Sequence, residues 1–270
     1  MAEEKYSIQA VKKALKILKL LNCESKDMTL SEISKLMGLG KSSTLRLLCT
    51  LKEEDYVSYD ENTKKYSLGL ELMRLGVCKF YTMDWRGAAI QNLRKLSDET
   101  GLISYLAIQN QYDLLFVDKI FPQNVPDWAQ IMVQPGAVGS LYSNGIGRLF
   151  LSQLKENELD DYFAKVELKK FTPNTIVDEK ELRSIIKEAR ENQVSYNVGE
   201  NEDYIASICA PIYNCLGVMI AGISAGGMQD VICSEKRPYL LDRVKKTAEK
   251  ISREIGYEKT CSKYPDCRFR

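Results

Sequence analysis

The sequence predicts an α+β protein: a winged helix-turn-helix followed by a larger domain in which helices flank an antiparallel sheet. Three observations carry this. At 270 residues the chain is too long for one ordinary domain and too short for three. Its first seventy residues read as three short helices and a hairpin. Further on, strand-like runs alternate with helix-like ones and end in consecutive strands joined by a tight turn, the mark of an antiparallel rather than a doubly wound parallel sheet.

The elements follow in order. Val11, Ala14, Leu15, Leu18 and Leu21 recur at helical spacing with Lys12, Lys13, Lys16 and Lys19 between them, which predicts an amphipathic helix over Ile8 to Leu21. Thr29 with Glu32 three residues on is a capping box ahead of Ile33, Leu36 and Met37, and Gly38 ends that helix. After the Gly38-Leu39-Gly40 turn, Lys41-Ser42-Ser43 opens a third helix with Leu45, Leu48 and Leu51 on its apolar face, reinforced by Leu47; Ser42, Ser43 and Arg46 share the opposite face. Short helix, glycine turn and longer helix make a helix-turn-helix, whose second helix enters the major groove. Lys41, Ser42, Ser43, Thr44 and Arg46 are the groove candidates, Arg46 first because arginine grips guanine bidentately. Val57 to Asp60 and Lys65 to Leu68 alternate as two strands about a turn at Glu61 to Lys64, forming a wing whose Lys64 and Lys65 meet phosphates.

Net charge adds little, since residues 1–70 hold twelve Lys or Arg against ten Asp or Glu. A helix-turn-helix that binds protein stays open on this ground. Gly40-Lys41-Ser42 resembles the end of a phosphate-binding loop, but that motif needs glycine where Lys35 stands and a strand before it.

Gly69 to Phe80 reads as a helix leading out of the wing and Trp85 to Leu96 as another opening the second domain. Strands are expected at Ile103 to Gln109, Leu114 to Ile120, Ile131 to Val133, Val194 to Val198, Ile205 to Ile212 and Val218 to Ser224. Helices are expected at Asn144 to Gln153, Glu179 to Asn192 and Ser234 to Ile255. The boundaries are a DNA-binding domain over 1–70, a stiff linker helix over 71–84, a second domain over 85–256 and a tail over 257–270. Pro135 to Gly145 is a small-residue loop feeding a helix, and a helix start suits a carboxylate or phosphate; an ordinary capped helix after a glycine turn is the competing reading.

The composition, 44% hydrophobic and 28% charged without an apolar run of membrane-spanning length, is that of a chain that stays in water. The N-terminus does not read as a secretory signal, so a cytoplasmic, reducing location is expected. There is no histidine, which removes His-based triads and HExxH zinc sites. The eight cysteines lack a CxxC pair or framework spacing and read mostly as small buried hydrophobes. Cys261 and Cys267 sit in a polar tail, where two thiols without histidine make a poor zinc site. No metal or cofactor is expected.

The order of these parts resembles the IclR family of bacterial transcriptional regulators over about residues 5–256. The resemblance is carried by Ser7 to Leu21, Leu30-Ser31-Glu32-Ile33, Lys41 to Leu48 and Leu68-Gly69, and in the second domain by Pro135-Gly136, Leu141 to Gly147, Ala210-Pro211-Ile212 to Gly217, and Ser224. It implies a GAF-like effector domain, dimers or tetramers, and double-stranded DNA with a palindromic operator, bound under the control of a small organic or aromatic acid, as repressor or activator. It also implies an effector pocket formed by Tyr142, Ser143, Asn144, Gly145, Glu200, Ser207, Cys209 and Ser224. Departures bear on the ligand: Tyr142 stands where many members have histidine, Ser207 where a pocket cysteine is common, and Ala225-Gly226 where a second hydroxyl residue is frequent. The alternative is a thiol redox enzyme or sensor using Cys209 and Cys215, since GAF-like folds host such chemistry.

Overall fold

The computed structural model describes residues 7–23, 27–124 and 133–258. The strand expected at Ile131–Val133, but for Val133, and the tail cysteines Cys261 and Cys267 lie outside these. The chain divides into two compact units, residues 1–84 and 85–270.

The first unit opens with α1 (Gln9–Cys23), then β1 (Met28–Thr29), α2 (Leu30–Met37), α3 (Lys41–Glu53), β2 (Val57–Asp60), β3 (Lys65–Leu68) and α4 (Leu70–Tyr81). The capping box forms as the sequence predicts: the Thr29 hydroxyl accepts from the Glu32 amide while the Glu32 carboxylate accepts from the Thr29 amide at 2.7 Å. Donation from the Thr29 amide and hydroxyl holds the Glu32 carboxyl below its usual range. Gly38 closes α2 in the left-handed conformation, the ordinary glycine C-cap. The Asp60 carboxylate accepts from the Asn62 and Thr63 amides and turns the chain between β2 and β3. The two-residue β1, too short to show an alternation in sequence, pairs antiparallel with β3 and makes a three-stranded sheet in the order β1-β3-β2. Ile17, Leu21, Ile33, Leu48, Leu51, Val57 and Tyr66 form the core. Of the expected apolar face of α1, Leu18 and Leu21 turn inward whereas Val11 and Leu15 stay half exposed. Gly69 is required where β3 gives way to α4, because a Cβ there would collide with the backbone of Asp55 and Tyr56.

The second unit comprises α5 (Asp84–Thr100), β4 (Ile103–Asn110), β5 (Asp113–Ile120), β6 (Val138–Ser140), α6 (Gly145–Leu151), α7 (Glu156–Lys165), α8 (Glu179–Asn192), β7 (Ser195–Val198), β8 (Ile205–Tyr213), β9 (Met219–Met228), α9 (Gln229–Ile232) and α10 (Arg237–Glu254). The six strands form one fully antiparallel sheet in the order β6-β5-β4-β9-β8-β7. α5 and α10 pack one face through Leu93, Leu96, Leu240, Val244 and Ile251. α6 and α8 close the other through Ile146, Leu149, Leu182 and Ile186. The alternation of β4 divides accordingly, Leu106 facing the first layer and Ile103, Tyr105 and Ala107 the second. Neither β6 nor α7 follows from the sequence pattern, the one for its three residues and the other because its apolar positions are few.

α6 is wholly buried and lies against the turn before it, so Gly147 is pinned: a Cβ there would fall well inside contact distance of the Leu141 backbone. Gly147→Ala is expected to destabilise this unit by about 1–3 kcal/mol, the range for overpacking. Urea unfolding followed by far-UV circular dichroism measures it, and an unchanged midpoint contradicts the close packing.

Candidate DNA-binding surface and ligand cavity

On the first unit, α3 is amphipathic by necessity, with Leu48 and Leu51 held in the core. Lys41, Ser42, Ser43, Leu45, Arg46 and Cys49 are exposed. Lys64 and Lys65 are exposed at the end of the β2–β3 hairpin, Lys64 with the left-handed backbone of a tight turn. Thr44 is corrected: it is fully buried and its hydroxyl donates to the Gly40 carbonyl at 3.2 Å, so it secures the first turn of α3 from inside and cannot face a groove. The next residue, Leu45, is 41% exposed rather than part of the apolar face. Three to four residues per turn decide both, because Thr44 stands directly above Leu48.

On the second unit a cavity of about 60 Å³ opens between the sheet and the chain around the start of α6. Its floor is built by register. Tyr105 of β4 lies opposite Ser224 of β9, and Ser207 of β8 lies opposite Gly226 of β9, so three adjacent strands present these residues side by side. A Cβ at Gly226 would touch Ser207 and the Tyr105 ring, so the glycine helps keep the space open. Phe116 meets Tyr105 edge-on at 5.8 Å, and Val133, Asn144, Asn197, Asn201, Glu202 and Ile205 complete the lining. The Tyr105 hydroxyl is buried and lacks a hydrogen-bond partner among the described residues. Burial raises its pKa. Glu202 is held above the usual carboxylate range by burial, against an opposing pull from Lys119.

The walls are held by a buried network. Arg148, 2% exposed, donates to both Glu200 carboxylate oxygens, to the Tyr142 carbonyl at 2.8 Å and to the Tyr196 carbonyl at 3.2 Å. The Ser143 carbonyl accepts from Asn197 at 2.6 Å and Asn201 at 2.9 Å, and its hydroxyl donates to Asn201 at 2.7 Å. Thr172 and Thr175 donate to the carbonyls of Gly199 and Glu200.

Of the residues expected in the pocket, Asn144, Ser207 and Ser224 line the cavity. Five others stand behind its walls and are corrected in position. Tyr142 is buried with its hydroxyl bonded to the Lys169 backbone. Ser143 and Glu200 are consumed by the network just described. Gly145 sits against Cys209 Sγ and the Tyr196 backbone, and Cys209 lies beneath it at 1% exposure. The expected anion site at the start of α6 is likewise occupied, since the Asn144 side chain accepts from the Ile146 amide. Tyr105 reads in sequence as any aromatic in a strand; the polar run Asn197 to Glu202 between two strands was the available signal.

The cysteine expectations fail for physical reasons. Cys49, Cys78, Cys215 and Cys233 are exposed, and among these and Cys209 only the last is buried. Burial pushes the Cys209 thiol up to about 12. Cys209 sits inside β8 and Cys215 beyond its end at Tyr213. At ~3.3 Å per residue the extended strand alone carries the chain about 13 Å past Cys209, and a disulfide needs Cα atoms within about 7 Å.

A winged helix-turn-helix joined to a sensor-like α+β unit with a small cavity on its sheet defines a DNA-binding regulator that responds to a small molecule. Residues 10–61 match the IclR helix-turn-helix domain, and residues 80–253 match the bacterial transcriptional regulator IclR C-terminal domain. The chain belongs to the IclR family of bacterial transcriptional regulators. It is 31% identical over 248 residues to the HTH-type transcriptional regulator KipR of Bacillus subtilis, covering 91% of this chain and 98% of KipR. An IclR transcriptional regulator from Alicyclobacillus acidocaldarius superposes with a TM-score of 0.80 at 29% identity, over 92% of this chain and 99% of that one. An IclR homologue from Microbacterium hydrocarbonoxydans, solved with 4-hydroxybenzoate, shares the fold with a TM-score of 0.79 at 17% identity, over 92% and 99% of the two chains.

With its proton bound so tightly, Cys209 is expected to resist iodoacetamide at pH 8 in the folded protein while Cys49, Cys78, Cys215 and Cys233 label. Peptide mass spectrometry reads this, and labelling of Cys209 at the rate of Cys215 contradicts its burial.

Proposed function

We propose that this chain binds a palindromic operator through α3 and the wing of two copies, and that a small molecule held in the Tyr105–Ser224 cavity alters that binding. Its place of action is the cytoplasm, and it performs no catalysis of its own. The observation that carries the first part is the outward face of α3: Ser42, Ser43 and Arg46 all reach solvent from a helix whose other side is locked into the core. Arg46 reads base edges, and Lys41, Lys64 and Lys65 meet phosphates. The cavity supports the second part, because a small space with an unpartnered buried hydroxyl is what a ligand would complete. In the Microbacterium homologue the bound molecule is 4-hydroxybenzoate, a precedent for small-molecule binding by this fold.

Self-association is supported by apolar side chains without cover. Ile8, Val11 and Leu15 are exposed at helical spacing at the start of the chain, as are Leu70, Met73 and Val77 on α4. A second copy would bury them. In this reading residues 71–84 are the linker through which the sensor domain, 85–256, biases two DNA-binding domains, 1–70. The ligand must bind one arrangement of those domains more tightly than the other to shift anything.

Arg46→Ala is expected to weaken specific binding by about 1–3 kcal/mol while leaving nonspecific binding nearly unchanged. Lys65→Ala is expected to weaken both alike and to lower the salt slope by ~0.9. Titration of operator and random duplexes at several salt concentrations measures both, and equal loss on both duplexes for Arg46→Ala refutes its base-reading role. Leu70→Glu with Met73→Glu is expected to shift the sedimentation of the full chain toward monomer; unchanged sedimentation refutes this face as the contact.

A further inference from the structure

The cavity is chemically biased, and the bias runs against an acid. Among the described residues that line it there is no lysine or arginine, and its one ionisable carboxylate is Glu202. Two of its three asparagines are already spent: Asn197 and Asn201 donate to the Ser143 carbonyl, while Asn144 turns its carbonyl oxygen to the Ile146 amide. What remains facing the space is a set of hydroxyls, Tyr105, Ser207 and Ser224, with the Asn144 amide nitrogen and the Glu202 carboxylate. Tyr105 is 4% exposed, and its hydroxyl has no hydrogen-bond partner among the described residues. Such an orphan carries a desolvation penalty that a bound acceptor would remove.

Size narrows the choice further. An opening of about 60 Å³ favours a compact molecule. An anion would lie beside Glu202 in a partly desolvated space, and Lys119, the cation that acts on Glu202, is not among the residues lining the cavity. A neutral molecule with several hydroxyls suits the lining better: each hydroxyl both donates and accepts, so one accepts from Tyr105 while others donate to Glu202 and exchange bonds with Ser207 and Ser224.

We infer that this cavity selects a compact neutral polyol, such as a three- or four-carbon sugar alcohol, over a carboxylate of the same size. The inference rests on the reading of the cavity as the effector site and specifies its ligand class.

The test is isothermal titration of the full chain with glycerol and erythritol against glycerate and pyruvate, with ethanolamine as a cationic control. Glycerol or erythritol is expected to bind at least tenfold more tightly than glycerate. Tyr105→Phe is expected to cut polyol affinity about tenfold while leaving the melting temperature of the free protein unchanged or raised, because it removes an unpartnered hydroxyl. Glu202→Gln is expected to improve glycerate binding about tenfold. Tighter binding of glycerate, pyruvate or ethanolamine than of either polyol overturns the inference, as does polyol binding that is absent or indifferent to Tyr105→Phe. Operator affinity measured with and without bound polyol is a separate readout: polyol that binds with the expected preference but leaves operator affinity unchanged confirms the ligand class and defeats the effector reading.

Discussion

Arg148 is the side chain on which the sensor unit's cavity depends. A guanidinium removed from water is tolerated only if it is paired and its remaining donors are satisfied, and here it spends them on the Glu200 carboxylate and on the carbonyls of Tyr142 and Tyr196. Those acceptors belong to two stretches that are remote in sequence: the turn before α6, and β7 with the loop that follows it. One buried charge thus obliges two distant stretches of chain to converge, and the cavity opens beside them against the sheet.

The sheet supplies the other half of the arrangement through its pattern of small residues. β9 reads Met219-Ile220-Ala221-Gly222-Ile223-Ser224-Ala225-Gly226-Gly227-Met228, with Ile223 and Ala225 packed under α5 and α10. On the opposite face Gly222 admits Ile146 of α6, whereas Ser224 and Gly226 leave room unfilled. The same strand is therefore packed tight at one end and left open at the other. Cys209, although paired in register with Ser224, is covered by Gly145, and this explains both its inertness and its failure to reach the cavity that Ser207, two residues earlier, helps to line.

In the DNA-binding unit the constraint is local. Caps and turn residues set the helix limits: the Thr29–Glu32 box starts α2, Gly38 ends it, and Asp60 bends the hairpin. With the helices so limited, the three-residue turn before α3 leaves Arg46 facing outward and Thr44 inward. Thr44 and Leu45 both depart in exposure from a plain periodicity argument, and Leu45 lies on the outward face beside Arg46, where an apolar group can meet a thymine methyl as readily as a core.

Local chemistry was legible in the chain. The capping box, the glycine turn, the wing, the antiparallel sheet, α8 to the residue and the family motifs are all written in short-range spacing, because caps and periodicities act within one or two turns. Which face of a strand meets a helix, which polar residues are consumed by a buried arginine, and which are left to line a space are set by contacts between positions fifty or a hundred residues apart. Glu200 and Glu202 stand two residues apart with the same chemistry; only the placement of Arg148 makes the first a structural ion pair and leaves the second facing the cavity. The sequence by itself determined the elements, their order and the class of regulator, whereas the tertiary structure decided the site, because a cavity is what remains after long-range packing has used every other group.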